Sequence, residues 1–139
     1  TARTLRCGAI GTGNFADVCH IPELNAHPHA EVVAIAGGRA RAETLAKKHG
    51  IADVHEDYRA LCARDDIDAV TIVTRTVDHK RQALAAFESG KHVFCEKPLG
   101  LDLQQAHEMT RAAHASGRVH HVGFVFRYNF GVRELRTPA

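Results

Sequence analysis

The sequence predicts an α/β fold, a doubly wound and mostly parallel sheet with helices on both faces, and three observations carry that prediction. Short apolar runs rich in β-branched residues recur along the chain and alternate with stretches of helical periodicity. Several of those runs are apolar throughout rather than at every second residue, which is the pattern of strands covered on both faces. The first run passes directly into a glycine turn and then a helical stretch at 11–16, an arrangement in which backbone amides at a helix start can hold an anion.

In chain order, residues 5–10 (LRCGAI) read as the first strand. Gly11 lets the chain turn sharply, Gly13 leaves room where a pyrophosphate would approach the backbone, and Ala16 keeps the following helix close to the strand. Those positions spell GxGxxA. With Thr12, Asn14 and Phe15 they make the candidate cofactor-binding turn, since a helix starting near Asn14 aims unpaired N–H groups and its positive dipole end at one point. That helix is expected to be short, ending near His20, because Pro22 interrupts the pattern of 15–25. Residues 31–36 (EVVAIA) read as a second interior strand closed by Gly37 and Gly38, and 40–49 as a helix with Gly50 at its C-cap. A short helix over 57–64 capped by Asp57 comes next, then a third strand over 69–73. Asp78 reads as the cap of a helix over 79–89 that stops at Gly90, and 92–95 (HVFC) as the fourth strand. A helix over 103–116, ended by Gly117, and a fifth strand over 119–126 complete the alternation.

A chain of 139 residues is most simply one domain, able to bury roughly two thirds of its unfolded surface. With a formal charge of +2 and no apolar run of spanning length, neither a nucleic-acid nor a membrane partner is expected. The N-terminal TARTLR lacks the apolar segment of a signal peptide, so a cytoplasmic location is expected. Cys7, Cys19, Cys62 and Cys95 form no CxxC pair and are expected to be reduced and mostly buried. Histidine is frequent, but HPH at 27–29 and His120-His121 lack i, i+4 spacing and companion cysteines, so no metal site is expected.

In such a sheet ligands sit at the carboxyl ends of the strands. After the second strand an NAD site usually carries a carboxylate for the ribose hydroxyls, whereas an NADP site stays small there and brings an arginine to the 2′-phosphate. Here Gly37 and Gly38 are followed by Arg39 and then Arg41. Cations at a helix N-terminus oppose its dipole, so an anion explains them better than helix stability does. NADP is therefore the expected cofactor and NAD the second choice, with Gly38 and Arg39 on the cofactor and Arg75 either a further phosphate contact or merely solvated. After the fourth strand, Glu96-Lys97-Pro98 places Lys97 at the ligand edge, and the bond before Pro98 is a candidate for the cis form.

The succession GTGNFA, HIP at 20–22, RAETLAKKHG, TRTVDH at 74–79, ALAAFESGKHVFCEKPLG and VGFVFRYN resembles the Gfo/Idh/MocA family of nicotinamide-dependent oxidoreductases. The resemblance covers almost the whole chain and is most specific over 84–100. It implies a Rossmann dinucleotide-binding domain, here 1–125, followed at 126–139 by the start of a C-terminal substrate and dimerisation domain that is otherwise absent. It implies that Lys97 is the catalytic residue, beside the nicotinamide and on the substrate hydroxyl, with Glu96 helping to position it and both residues counted among the cofactor contacts. Family members usually read TPNxxH where this chain has Thr74, Arg75, Thr76 and His79. Thr74 and His79 match and carry over as cofactor contacts, while the proline and asparagine are replaced. The family's second half holds the substrate, supplies the acid/base residue and forms the dimer face, so a small-molecule substrate and a homo-oligomer through that missing half are implied.

Two functions stand open on the sequence. One is an oxidoreductase acting on a sugar, polyol or related molecule, of which this chain is the cofactor-binding part and inactive alone. The other is a non-catalytic dinucleotide-binding or assembly module. Lys97 favours the first, since a pure binder has no need of it, and the shortness of the chain favours the second.

Overall fold

The computed structural model describes residues 3–129. They form six strands, β1 (Leu5–Ile10), β2 (Ala30–Ala36), β3 (Asp53–His55), β4 (Ala69–Ile72), β5 (His92–Cys95) and β6 (His120–Val122). The strands pair in the order β3-β2-β1-β4-β5-β6, every pair parallel. The order reverses between β1 and β4, and there the strand ends leave the crevice in which such sheets bind ligands. The helices are α1 (Ile21–Ala26), α2 (Arg39–His49), α3 (Tyr58–Cys62), α4 (Thr76–Glu88) and α5 (Leu103–Ser116).

Each face of the sheet carries its own core. Cys7, Ala9, Val32 and Ile35 pack with Ala16 and Ile21 and with Ala42, Leu45 and Ala46 of α2. Ile10, Ala34, Val70 and Ile72 pack with Leu61 of α3, Ala83, Ala86 and Phe87 of α4 and Met109 of α5. Burial of each fully enclosed Ile or Leu contributes about 1.5–3 kcal/mol, and Ile10, Ile35, Leu61 and Ile72 are such residues. The register of β1 against β2 shifts between Cys7 and Gly8, which gives β2 one extra residue, so Val33 and Ala34 both face the α3 to α5 layer. All four cysteines are free, and Cys7, Cys62 and Cys95 are buried. Burial pushes the Cys95 thiol up to about 12 and Cys7 to about 11, which keeps them protonated and inert.

The structure departs from the expected elements in four places. It has a sixth strand, β3, whose three residues are exposed or half-buried and carry no apolar run that a sequence pattern would register. The helix after the glycine turn does not end near His20. Helical backbone runs on to Ala26, because Ala16–His20 form one wide π turn and Pro22 falls in the first turn of α1, where a missing N–H costs little. Helix α4 begins at Thr76 with Arg75 at the N-cap, and Asp78, expected as the cap, instead lies in its first turn and pairs with Arg75 and Arg81. The expected strand over 119–126 shortens to β6, since Phe124 N–H turns back to the Val122 carbonyl at 2.7 Å and a 3₁₀ turn, Val125–Tyr128, follows. Of the expected second-domain start at 126–139, residues 130–139 lie outside the described residues.

Candidate functional site

The glycine turn is built by contacts that cross the sheet. Gly11 N–H donates to the Ala36 carbonyl at 2.9 Å, and Val73 N–H donates to that of Ile10 at 2.8 Å, so the ends of β1, β2 and β4 are tied together. Gly11 has φ of 119°, and a Cβ there would stand 2.2 Å from the Val73 carbonyl oxygen, so only glycine fits. At Gly13 a Cβ would meet nothing within 4 Å. The space before its backbone is open, as a pyrophosphate would require. Ala16 is wholly buried beneath the turn, and the helical backbone starts at Asn14.

In front of the turn lies a cleft of about 790 Å³ with Ile10, Ala36 and Val73 among its lining. Gly38, Glu56 and Tyr58 line it on the β2 and β3 side, Thr74, Arg75, Asp78, Arg81 and Gln82 line the α4 wall, and Glu96 and Lys97 stand at the β5 side. Gly11, Thr12, Gly13, Asn14, Phe15, Gly38, Thr74, Glu96 and Lys97, nine of the residues singled out from sequence, thus line one cavity.

Two do not. Arg39 projects at the start of α2 and donates to Glu43 Oε1 at 3.0 Å and Glu56 Oε1 at 3.3 Å, so its link to the cleft runs through Glu56. His79 is buried behind the wall, with Nδ1 2.9 Å from the Pro98 carbonyl oxygen and Nε2 3.2 Å from that of Thr74. It braces the loops that follow β4 and β5 against each other. Arg41 donates its Nε–H to the Thr12 carbonyl and so supports the glycine turn from behind. Thr74 donates its hydroxyl to Gln82 Oε1 at 2.6 Å, which fixes the side chain at the cleft lip.

At the β5 side Lys97 is exposed on the cleft, and no carboxylate pairs with it among the described residues. The Lys97-Pro98 bond is cis, as the sequence led one to expect. Glu96 Oε2 accepts the Lys97 backbone N–H at 3.1 Å, and its Oε1 lies 3.0 Å from His20 Nε2. The sequence marked none of His20, Glu56, Arg81 or Gln82 as a site residue, and it offered Asp78 only as a helix cap. The HIP segment was the one signal for His20, while Glu56 follows a strand that has no sequence pattern. Among the described residues, no group of His, Cys, Asp and Glu is placed to hold a metal ion, and no helix is long and apolar enough to cross a membrane.

Residues 5–124 match the family model described as "Oxidoreductase family, NAD-binding Rossmann fold". The chain belongs to the Gfo/Idh/MocA family. Its six-stranded parallel sheet and glycine turn are that family's N-terminal NAD-binding domain. It is 34% identical over 137 residues to the D-glucoside 3-dehydrogenase of Escherichia coli, covering 98% of this chain and 39% of that protein. A 3-ketoreductase from Actinomadura kijaniata, solved with TDP-benzene and NADP, superposes with a TM-score of 0.89 at 35% identity, covering 96% of this chain and 42% of that one. The scyllo-inositol dehydrogenase of Lactobacillus casei, solved with NAD(H) and scyllo-inositol, gives 0.88 at 29% identity, covering 96% and 40%. This chain therefore spans about 40% of the length of these relatives, and its Rossmann domain binds the NAD(P) class of cofactor.

Proposed function

We propose that this chain is the cofactor-binding portion of an oxidoreductase that moves a hydride between a nicotinamide and a carbon bearing a hydroxyl or carbonyl group, on a sugar, polyol or related small molecule. The observation that carries the reading is Lys97, an exposed ammonium that no carboxylate pairs with among the described residues, on the same cleft as the glycine turn. The cavity of about 790 Å³ is of ligand-pocket size, and the open space at Gly13 fits a diphosphate. A nicotinamide, when bound, supplies or accepts the hydride. Lys97 donates a hydrogen bond to the substrate oxygen and stabilises the negative charge that develops there. The amides at the helix start bind the diphosphate without a basic side chain. The acid/base residue, the rest of the substrate pocket and the surface of a homo-oligomer belong, in this reading, to sequence beyond this chain, and the enzyme works in the cytoplasm.

NADP is the preferred cofactor in this reading. Its support is the glycine end of β2 and the cations around it: Arg39 holds Glu56 at the cleft edge, and Arg75 and Arg81 stand on the opposite wall. Arg39 exchanges Glu56 for the 2′-phosphate, which its planar guanidinium can bind in two-point fashion. Glu56 keeps NAD as the second choice, because a carboxylate there can accept ribose hydroxyls.

Calorimetric titration of the chain with NADP and NAD tests the proposal. Saturable binding, tighter for NADP and without turnover of polyols by this chain alone, is the expected result. Folded chain that binds neither dinucleotide overturns the reading, and equal or tighter binding of NAD overturns the preference. Arg39→Ala should weaken NADP by roughly tenfold or more, the worth of a charged hydrogen bond, while NAD changes little and the salt dependence of binding falls.

A further inference from the structure

We propose that His20 is a positioning residue for Lys97, brought to its place by the π turn and acting through the carboxylate of Glu96; the functional consequence rests on the oxidoreductase reading above. Glu96 is 5% exposed, and a buried carboxylate is costly unless its oxygens are bonded. Its Oε2 accepts the Lys97 amide at 3.1 Å and its Oε1 lies 3.0 Å from His20 Nε2. Gly123 closes the remaining side, where a Cβ would come within 2.5 Å of Oε1. A carboxylate only accepts, so His20 donates Nε2–H, and Nδ1, 2.7 Å from Thr71 Oγ1, takes the threonine hydroxyl proton in the neutral ring. Phe15 and Phe94 meet the imidazole edge-on at 5.1 Å and 5.3 Å, so the ring has little freedom to turn. Thr71, His20, Glu96 and the Lys97 backbone form one hydrogen-bonded chain that links β4 to the catalytic loop.

The π turn makes this reach possible. Ile21 N–H donates to the Ala16 carbonyl, one residue further back than in an α-helix. In an α-helix residues five apart point about 140° away from each other, yet Ala16 and Ile21 are both wholly buried in one core cluster. The wider turn lets both enter the core and leaves His20 beside β4 and β5. Pro22 alone does not require it, since a helix ending before the proline would serve equally well.

In the complete enzyme, His20→Leu should lower kcat by about tenfold or more while the NADP dissociation constant and the substrate KM change little, because a small displacement of Lys97 costs chemistry before binding. His20→Gln, whose amide reaches the same carboxylate, should recover most of the loss, and His20→Asn, too short to reach it, should not. A crystal structure of His20→Leu should show the Lys97 amide parted from Glu96. An unaltered kcat in His20→Leu, an equal loss in His20→Gln, or a Lys97 amide still seated on Glu96 overturns the proposal. Should His20→Leu fail to fold, the contrast between the Gln and Asn variants decides the matter. A wild type without dehydrogenase activity would overturn the oxidoreductase reading only, and the crystal structure would still decide the role of His20.

Discussion

Among the described residues no carboxylate pairs with Lys97, whose exposed ammonium at the mouth of the cleft is open to a ligand. In the proposed reaction the interaction grows as charge develops on the substrate oxygen, so Lys97→Ala in the complete enzyme should reduce kcat by about two orders of magnitude or more and leave cofactor affinity nearly intact. Steady-state rates paired with a dinucleotide titration check this, and an unchanged kcat returns Lys97 to the role of a solvated loop charge. The lysine and its two neighbours were legible because they stand directly after an apolar strand. The fate of His79 was not. The resemblance to the family's TPNxxH loop implied a cofactor contact, but the fold turns its ring inward, onto two carbonyl oxygens.

Within the glycine turn the two glycines do different work. Gly11→Ala would put a methyl 2.2 Å from a backbone oxygen at positive φ, and neither partner can yield. Strain and overpacking together should cost roughly 2–5 kcal/mol, read as a fall in thermal midpoint. Gly13→Ala meets nothing within 4 Å among the described residues, so the midpoint should stay within a few degrees while dinucleotide affinity drops sharply. Equal effects of the two substitutions on stability would contradict this division of labour. The GxGxxA spacing announced both glycines, since each turn position is a local requirement. The π turn that follows was illegible, because proline reads locally as a helix end and only the burial of both Ala16 and Ile21 selects the wider turn.

For the molecule as a whole, acid is the condition to which the fold should respond most clearly. Hydrogen bonds from Arg64 and then Arg6 hold the Asp66 carboxyl well below the usual range, and Lys48 and His49 lower Asp17 in the same way. A carboxyl lowered in the folded state stabilises fully above its unfolded value of about 4, and that stabilisation is lost as pH falls through the folded value. The thermal midpoint should therefore fall as pH drops below about 4, and Asp66→Asn should make the fall shallower. Calorimetry across that range checks it, and an identical acid slope in the variant would remove Asp66 from the account.

The amino-acid sequence by itself determined the α/β class, the glycine turn, most helices and the Glu96-Lys97-Pro98 edge, because each follows from local chemistry: apolar runs, caps, and turn residues at required spacings. The three-residue edge strand β3, the first-turn place of Asp78, the indirect link of Arg39 through Glu56, and the chain from Thr71 through His20 to Glu96 were decided only by tertiary structure. Those contacts join residues far apart in the chain, such as His20 and Glu96, whose partners the sheet order selects. Local pattern carries no record of which strands will lie side by side.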